Sequence, residues 1–341
     1  MTYRIAINGF GRIGRNYLRV LLQQNLFNAG FQVVAINDLY DTAMLAHLLE
    51  YDSTFGRLDA EVGFTDDALS VGWHEIPTFA QRAPDALPWG ELGVDLVIES
   101  TGKLRSRDDA ALHLKAGARR VLISAPGKGV DATLVPGVNA DSYDPVRHQV
   151  VSAASCTTNC VAPLVKVLHE AFGLERGYLT TVHAYTNDQN VLDAPHKDAR
   201  RARAAGVNII PTSTGAAKAV GLVLPELAGR LDGVALRVPV VDGSISDLTL
   251  ELGTEVTVEQ VNAAVAQASA VGQPMHGIIR YTEAPIVSTD IVGEPASCVF
   301  DASLTQAHGR LVKVFGWYDN EWGYTNRLID LTKQMAAAEV A

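Results

Sequence analysis

The stretch Ser152-Ala153-Ala154-Ser155-Cys156-Thr157-Thr158-Asn159-Cys160 sets a thiol among small and hydroxyl-bearing residues, a composition that suits a nucleophile. A cysteine attacks as its thiolate, which helix N-terminal amides and a proton-accepting imidazole favour. The first condition is met locally. Strand-like Gln149-Val150-Val151 precedes, and Val161, Leu164, Val165 and Leu168 recur at helical spacing toward Phe172. Cys156 is therefore expected at or just before a helix start, with Thr157, Thr158 and Asn159 as capping candidates. The same pattern also fits a small cysteine buried in a core. A second constellation opens the chain, where Gly9-Phe10-Gly11-Arg12-Ile13-Gly14 spells G-x-G-x-x-G. Glycines there let the turn close and the backbone approach a pyrophosphate, whose charge the following helix N-terminus holds.

The surrounding elements give that motif its force. Alternating Tyr3-Arg4-Ile5-Ala6-Ile7-Asn8 reads as a strand before it, and Tyr17, Leu18, Val20 and Leu21 mark a helix over Asn16–Gln24 after it. The next strand, Gln32-Val33-Val34-Ala35-Ile36, ends in Asn37-Asp38, which puts a carboxylate where an adenosine ribose hydroxyl would lie. Asp38 accepts from a 2′-hydroxyl and repels a 2′-phosphate, so NAD is favoured over NADP. Short strands between Leu58 and Trp89 follow. The apolar run Val94–Glu99 reads as a strand buried on both faces and ends in Ser100-Thr101-Gly102. A helix is expected over Arg107–Ala116, then a strand Arg120–Ile123 ending in Ser124-Ala125-Pro126-Gly127. Hydroxyl residues such as Thr101 and Ser124 after parallel strands are where a doubly wound sheet receives its ligand, although ordinary strand-to-loop chemistry explains them equally.

Beyond Cys156, Gly177–Thr186 reads as a strand carrying His183, which by itself fits a satisfied structural histidine. The polar loop from Asn187 to Asn208 is long enough to be functional or subunit-bridging. Thr214-Gly215 precede a helix over Ala216–Leu224, a start suited to phosphate or to a plain N-cap. Val234–Val240, Ser246–Leu252, Ile286–Ile291 and Arg310–Tyr318 read as strands of an antiparallel sheet, with a helix marked by Val258, Val261 and Val265 and a closing helix through Met335.

The fold class expected is α/β: a Rossmann-type doubly wound parallel sheet over 1–153, and an α+β domain with a mainly antiparallel sheet over 154–319. The last helix, 320–341, is expected to pack back on the first domain. A chain of 341 residues suits two cores. Acidic residues outnumber basic ones, 38 to 28, the wrong balance for binding nucleic acid. Three cysteines make no disulfide framework, and no further ligands at ordinary spacing accompany them, so no metal is expected. No run approaches a membrane span or a signal peptide. The expectation is a cytoplasmic protein with no membrane partner.

Ser155-Cys156-Thr157-Thr158-Asn159-Cys160, with Thr181-Val182-His183-Ala184-Tyr185-Thr186, closely resembles the active-site segments of phosphorylating glyceraldehyde-3-phosphate dehydrogenases, and the resemblance runs from Arg4 to about Thr332. It implies Cys156 as nucleophile and His183 as acid and base. It implies Thr186, Arg201 and Arg237 around the phosphate of a small phosphorylated aldehyde, and Ser155, Thr157, Thr214 and Gly215 around attacking inorganic phosphate. Gly9, Gly11, Arg12, Ile13, Gly14, Asp38, Arg82, Thr101, Ser124 and Asn320 would meet NAD, with Tyr324 near the nicotinamide. Pro195 resembles the NAD-type version of its loop, and the family is typically a homotetramer. The chemistry fits a thiol working with a hydride acceptor. Thiolate addition to an aldehyde gives a hemithioacetal with a hydride to lose, and oxidation leaves a thioester open to phosphate.

Two departures stand out. Ala153 replaces an Asn found in many members, which bears on turnover and inhibitor sensitivity. Pro239-Val240-Val241-Asp242-Gly243-Ser244 replaces Pro-Thr-Pro-Asn-Val-Ser just after Arg237. Competing readings are an erythrose-4-phosphate dehydrogenase of the same chemistry, a cofactor-binding regulator without turnover, and a thiol hydrolase, which leaves the glycines and Asp38 unexplained.

Overall fold

The computed structural model describes residues 2–340 and divides into two compact units. One takes the chain up to Leu134, Asp141–Ala154 and the chain from Thr325 onward; the other takes Val135–Ala140 and Ser155–Tyr324. Of the bounds expected from sequence, Met1 and Ala341 lie outside the described residues.

The first unit is built on one sheet. Its strands are β1 (Tyr3–Asn8), β2 (Phe31–Asn37), β3 (Val62–Phe64), β4 (Ala68–Val71), β5 (His74–Phe79), β6 (Leu96–Glu99), β7 (Arg120–Ile123), β8 (Ala132–Thr133) and β9 (Val150–Ser152). They lie in the order β3-β4-β5-β2-β1-β6-β7-β9-β8. Pairing is parallel from β5 onward, while β3, β4 and β5 form an antiparallel meander. Strand β1 runs between β2 and β6 with Asn8 level with Asn37 and Glu99. The strand order therefore turns at β1, and the carboxyl ends that flank such a turn are where an open α/β sheet takes a ligand. Apolar side chains such as Ala6, Val34, Val97, Val121 and Val150 form one core under this sheet, joined by Trp89. Helices α1 (Arg12–Gln23) and α2 (Thr42–Glu50) follow β1 and β2. The helix expected over Arg107–Ala116 is two short pieces, α3 (Arg107–Ala110) and α4 (Leu112–Lys115), separated at Ala111.

The second unit carries β10 (Leu174–Ala184), β11 (Ile210–Ser213), β12 (Leu231–Val238), β13 (Ser244–Leu252), β14 (Ile279–Thr282), β15 (Cys298–Asp301), β16 (Gln306–His308) and β17 (Leu311–Tyr318). The path is β11-β12-β10-β13-β17-β15-β14, with β16 on β17. Most pairs are antiparallel, yet β10 and β12 run parallel, because the chain between them crosses over through β11 and α6 (Ala216–Val223). That parallel register sets His183 opposite Arg237. The long helix α5 (Cys156–Phe172) and α7 (Val258–Ser269) complete the unit, and α8 (Trp322–Val340) closes the chain.

Ile286–Ile291, expected as a strand, is instead a 3-10 turn over Ser288–Ile291, and the Asp290 carboxylate accepts from the Val287 amide at its start at 2.8 Å. A side chain that bonds its own backbone competes with a sheet ladder. The sheet ends there in β15 and then β14, with β14 at the edge.

From Thr325 the closing helix belongs to the first unit, where Thr332 and Tyr17 hydroxyls meet at 2.8 Å and Gln24 donates to Asn326 at 2.9 Å. No helix among the described residues is long and apolar enough to cross a membrane.

Candidate active site

Cys156 is the first residue of α5. Ser155 caps that helix, its Oγ accepting from the Thr158 amide at 3.0 Å, so the thiol stands at the positive end of the helix dipole. The Cys156 Sγ is 3.4 Å from His183 Nε2, an imidazole that is 4% exposed and lies on β10. Behind the ring, Nδ1 lies 2.7 Å from the Ala184 carbonyl oxygen and 2.8 Å from Arg237 NH1, which also donates to Ala184 O at 2.9 Å. A guanidinium only donates. With its proton on Nδ1, bonded to Ala184 O, His183 presents an Nε2 lone pair to the thiol; with the proton on Nε2, Arg237 takes Nδ1. The first tautomer is the one that can act as a base.

Burial lowers the His183 pKa to about 3, and the Arg237 charge adds to the effect. Burial also pushes the Cys156 thiol up, against the pull of Arg237 and of the Thr157 amide. At rest the pair is a thiol beside a neutral imidazole. Proton transfer between them creates opposite charges together, which a buried site tolerates better than either alone. Tyr318 packs edge-on to His183 with ring centroids 5.9 Å apart, and its hydroxyl bonds Thr157 Oγ1 at 2.9 Å and Thr181 Oγ1 at 2.8 Å. Tyr318 had no signal in the sequence, because it reaches the site from the last strand of the sheet.

The expected anion-holding residues are not equally available. Arg201 is ion-paired with Asp188 and, at 3.6 Å, with Asp198, and it donates to Thr212 Oγ1 at 2.9 Å. Thr186 is exposed just beyond β10. Thr157 is buried and Ser155 is engaged as the cap. Thr214 Oγ1 accepts from the Ala216 amide at 3.2 Å, and Gly215 sits exposed at the N-cap of α6 without a side-chain cap. Arg237, half-buried, adjoins the imidazole as described. Asn320 Oδ1 accepts from Ser244 Oγ at 2.6 Å, and the buried Tyr324 lies within electrostatic reach of Cys156.

In the first unit the glycine motif is sterically enforced. Gly9 has φ +93°, and a Cβ there would come 2.6 Å from Thr101 N; one on Gly14 would come 2.2 Å from Gly9 O. Gly11 faces open space at the uncapped start of α1. Asp38 Oδ2 accepts from the Phe10 amide at 2.7 Å, which ties the carboxylate to the glycine loop. Arg12 forms an ion pair with Asp52 and lies over the Phe55 ring, while Ile13 is half-buried beside it. Arg82 is exposed, and Ser124 Oγ donates to Glu99 O at 3.1 Å.

A buried network unread in the sequence backs these strand ends. Trp89 Nε1 donates to His113 Nδ1 at 3.0 Å, which leaves the His113 proton on Nε2, 3.0 Å from Glu99 Oε2. Asn8 Nδ2 donates to the same oxygen at 2.6 Å, and the Thr101 amide reaches Glu99 Oε1 at 2.9 Å. An open helix start, a backbone that only glycine permits and a carboxylate fixed beside them fit a dinucleotide. Among the described residues, no group of three or more His, Cys, Asp or Glu side chains could hold a metal.

The model of the glyceraldehyde 3-phosphate dehydrogenase NAD binding domain matches residues 3–107, and that of the C-terminal domain matches residues 155–320. The chain is 60% identical to a glyceraldehyde-3-phosphate dehydrogenase of Streptomyces coelicolor over 97% of its own length and 98% of the relative. It is 56% identical to that of Geobacillus stearothermophilus over 99% of each, and 56% identical to that of Mycobacterium bovis over 97% and 98%. The chain belongs to the glyceraldehyde-3-phosphate dehydrogenase family.

Proposed function

We propose that this chain is an NAD-dependent enzyme that converts D-glyceraldehyde 3-phosphate and inorganic phosphate to 1,3-bisphosphoglycerate in glycolysis or gluconeogenesis. The observation that carries the reading is Cys156 Sγ at 3.4 Å from His183 Nε2 at the start of a helix, with Arg237 behind the imidazole. His183 takes the thiol proton, the thiolate adds to the aldehyde carbon, and His183 returns the proton to the resulting alkoxide oxygen, giving a hemithioacetal. His183 then removes the hydroxyl proton as the C–H electron pair leaves, and a thioester remains on Cys156. Phosphate attacks that thioester and expels the thiolate. A bound nicotinamide supplies the hydride acceptor.

Arg237, Thr186 and Arg201 are the proposed holders of the substrate phosphate, with the phosphate drawing Arg201 from Asp188. Ser155, Thr157, Thr214 and Gly215 are the proposed site of the attacking phosphate. Gly9, Gly11, Arg12, Ile13, Gly14, Asp38, Arg82, Thr101, Ser124, Asn320 and Tyr324 are the proposed cofactor residues. The Asp38 charge supports NAD over NADP. A homotetramer is also proposed, supported by exposed Val191, Leu192, Val207 and Ile209 in and beside the long loop, and native mass tests it. A cytoplasmic location accords with the composition.

The test is NADH formation from glyceraldehyde 3-phosphate with and without phosphate, for the wild type and Cys156→Ser. Phosphate-dependent turnover in the wild type, reduced at least about 10³-fold in the variant, is expected. Turnover with erythrose 4-phosphate alone would move the substrate assignment to that sugar. NAD binding without any turnover would make the chain a regulator.

A further inference from the structure

The turn between β12 and β13 buries a carboxyl group that the reaction scheme does not use. Asp242 is 1% exposed; its Oδ1 accepts from the Gly243 amide at 2.8 Å, and its Oδ2 is buried with no donor. The turn cannot move aside easily, since Gly243 has φ +83° with Ser288 O at 2.2 Å from where a Cβ would stand. Facing it is Asp319, also 1% exposed, because the antiparallel register that sets Ser244 opposite Tyr318 brings the residues just before Ser244 beside those just after Tyr318. Asp319 is already well served: Oδ1 accepts from the Glu321 amide at 2.8 Å and the Trp322 amide at 2.6 Å, and Oδ2 accepts from the Gly293 amide at 2.8 Å. A carboxylate has about four acceptor positions, so one is left, and Asp242 is the group beside it.

Two buried carboxylates this close cannot both be ionised. The three amides stabilise charge on Asp319, so the proton belongs to Asp242. We propose that Asp242 is a positioning residue kept as the neutral acid, which donates its Oδ2 proton to Asp319 and thereby fixes the turn bearing Asn320. The turn leads back to the reaction centre: Asn320 Oδ1 accepts from Ser244 Oγ, and Ser244 Oγ accepts from the Ala184 amide at 3.1 Å, next to His183. The role of Asn320 toward the cofactor rests on the dehydrogenase reading above; the state of the carboxyl pair does not.

Asp319 and Glu321, which follow the strand β17, act on Asp242, and Asp242 in turn acts on the Cys156 thiol of α5. Burial and the two facing carboxylates push Asp242 up to about 9. The folded chain then holds a proton that the unfolded chain releases near the ordinary carboxyl pKa of about 4. Stability from this group is complete below that value and is lost as pH rises from about 4 to about 9.

The experiment compares the wild type with Asp242→Asn and Asp242→Ala. Without cofactor, the thermal midpoint of Asp242→Asn is expected to gain on the wild type steadily as pH rises from about 5 to about 9, and the infrared band of a protonated buried carboxyl is expected in the wild type alone. In turnover, Asp242→Ala is expected to raise the KM for NAD about tenfold with a smaller change in kcat, and Asp242→Asn, which keeps a donor at that position, to restore it. Parallel pH profiles of the midpoint, or no carboxyl band, would overturn the protonated state. An Asp242→Asn variant as impaired in KM as Asp242→Ala would overturn the positioning role. A wild type without turnover would sink the dehydrogenase reading and leave the first two measurements to judge the carboxyl pair.

Discussion

In the function proposed above, the strand ends of the first unit and the start of α5 in the second solve the same problem, holding a polar ligand, with different materials. In the first the proposed ligand-facing part is backbone: a Cβ at Gly9 or Gly14 would strike neighbouring backbone, Gly11 faces open space, and the charged side chain behind them, Glu99, is buried among donors. In the second the working parts are side chains that change charge, and burial opposes the charge on both Cys156 and His183. A backbone site should fail through volume. A side-chain site should fail through protons. Substitutions that change one property alone separate the two.

The largest effect should come from His183→Asn, which keeps a polar planar group and removes the base. The expectation is a loss of about 10²- to 10⁴-fold in kcat with NAD affinity unchanged, read by steady-state kinetics and a cofactor titration. A loss confined to the KM for NAD would blur the contrast, because it would make the imidazole part of the cofactor's support. The same variant carries a pH signature. His183 titrates at about 3 in the fold and at about 6.5 unfolded. Stability that is present above pH 6.5 is therefore lost as pH falls toward 3, and His183→Asn should flatten that acid slope in thermal scans.

The glycines supply the opposite case. Gly14→Ala drives a Cβ into the Gly9 carbonyl oxygen, which stands 2.2 Å from its position. Backbone must move, and a stability loss of about 3 kcal/mol or more is expected from urea unfolding. Gly11→Ala meets nothing within 4 Å, so stability should stay within about 0.5 kcal/mol. Any loss of NAD affinity in Gly11→Ala then measures crowding of the ligand alone. If both variants were equally stable, the steric account of the motif would be wrong.

What could be read from sequence follows the same division. Strand β1, the glycine loop and α1 are contiguous, so their pattern is local and the structure places them as expected, with α1 beginning a turn earlier at Arg12. The start of α5 near Cys156 was legible for the same reason, but its cap is Ser155 and not Thr157, Thr158 or Asn159 as expected, since those three already lie inside the helix. Arg237 lies 54 positions from His183 and meets it through the parallel pairing of β10 with β12, and no local pattern shows which strands will pair. Its role entered through resemblance. Likewise β14 and β15 were missed and a strand was assigned at Ile286–Ile291, where Asp290 turns the backbone instead. Trp89, His113 and Glu99 form their chain from three separate segments, and each alone looks like an ordinary core or strand residue. The departure at Asp242 was visible, but the group facing it was not.

The smallest expected effect tests the junction between backbone and side-chain logic. Ala153 and Ala154 are adjacent, both essentially buried, yet only Ala154 adopts a positive φ, 57°. For Ala154→Gly, relief of left-handed strain, about 1 to 2 kcal/mol, is offset by about 0.8 kcal/mol of lost methyl burial and about 0.5 to 1 kcal/mol of added unfolded-state freedom. The variant should fall within about 0.5 kcal/mol of the wild type. Ala153→Gly loses the methyl and gains the freedom with no strain to relieve, so it should cost about 1.5 kcal/mol. The difference between the two in parallel urea titrations reads the strain held just before Ser155 and Cys156. Equal losses would mean that the backbone there carries none, and that the cap and the helix dipole alone set the position of the thiol.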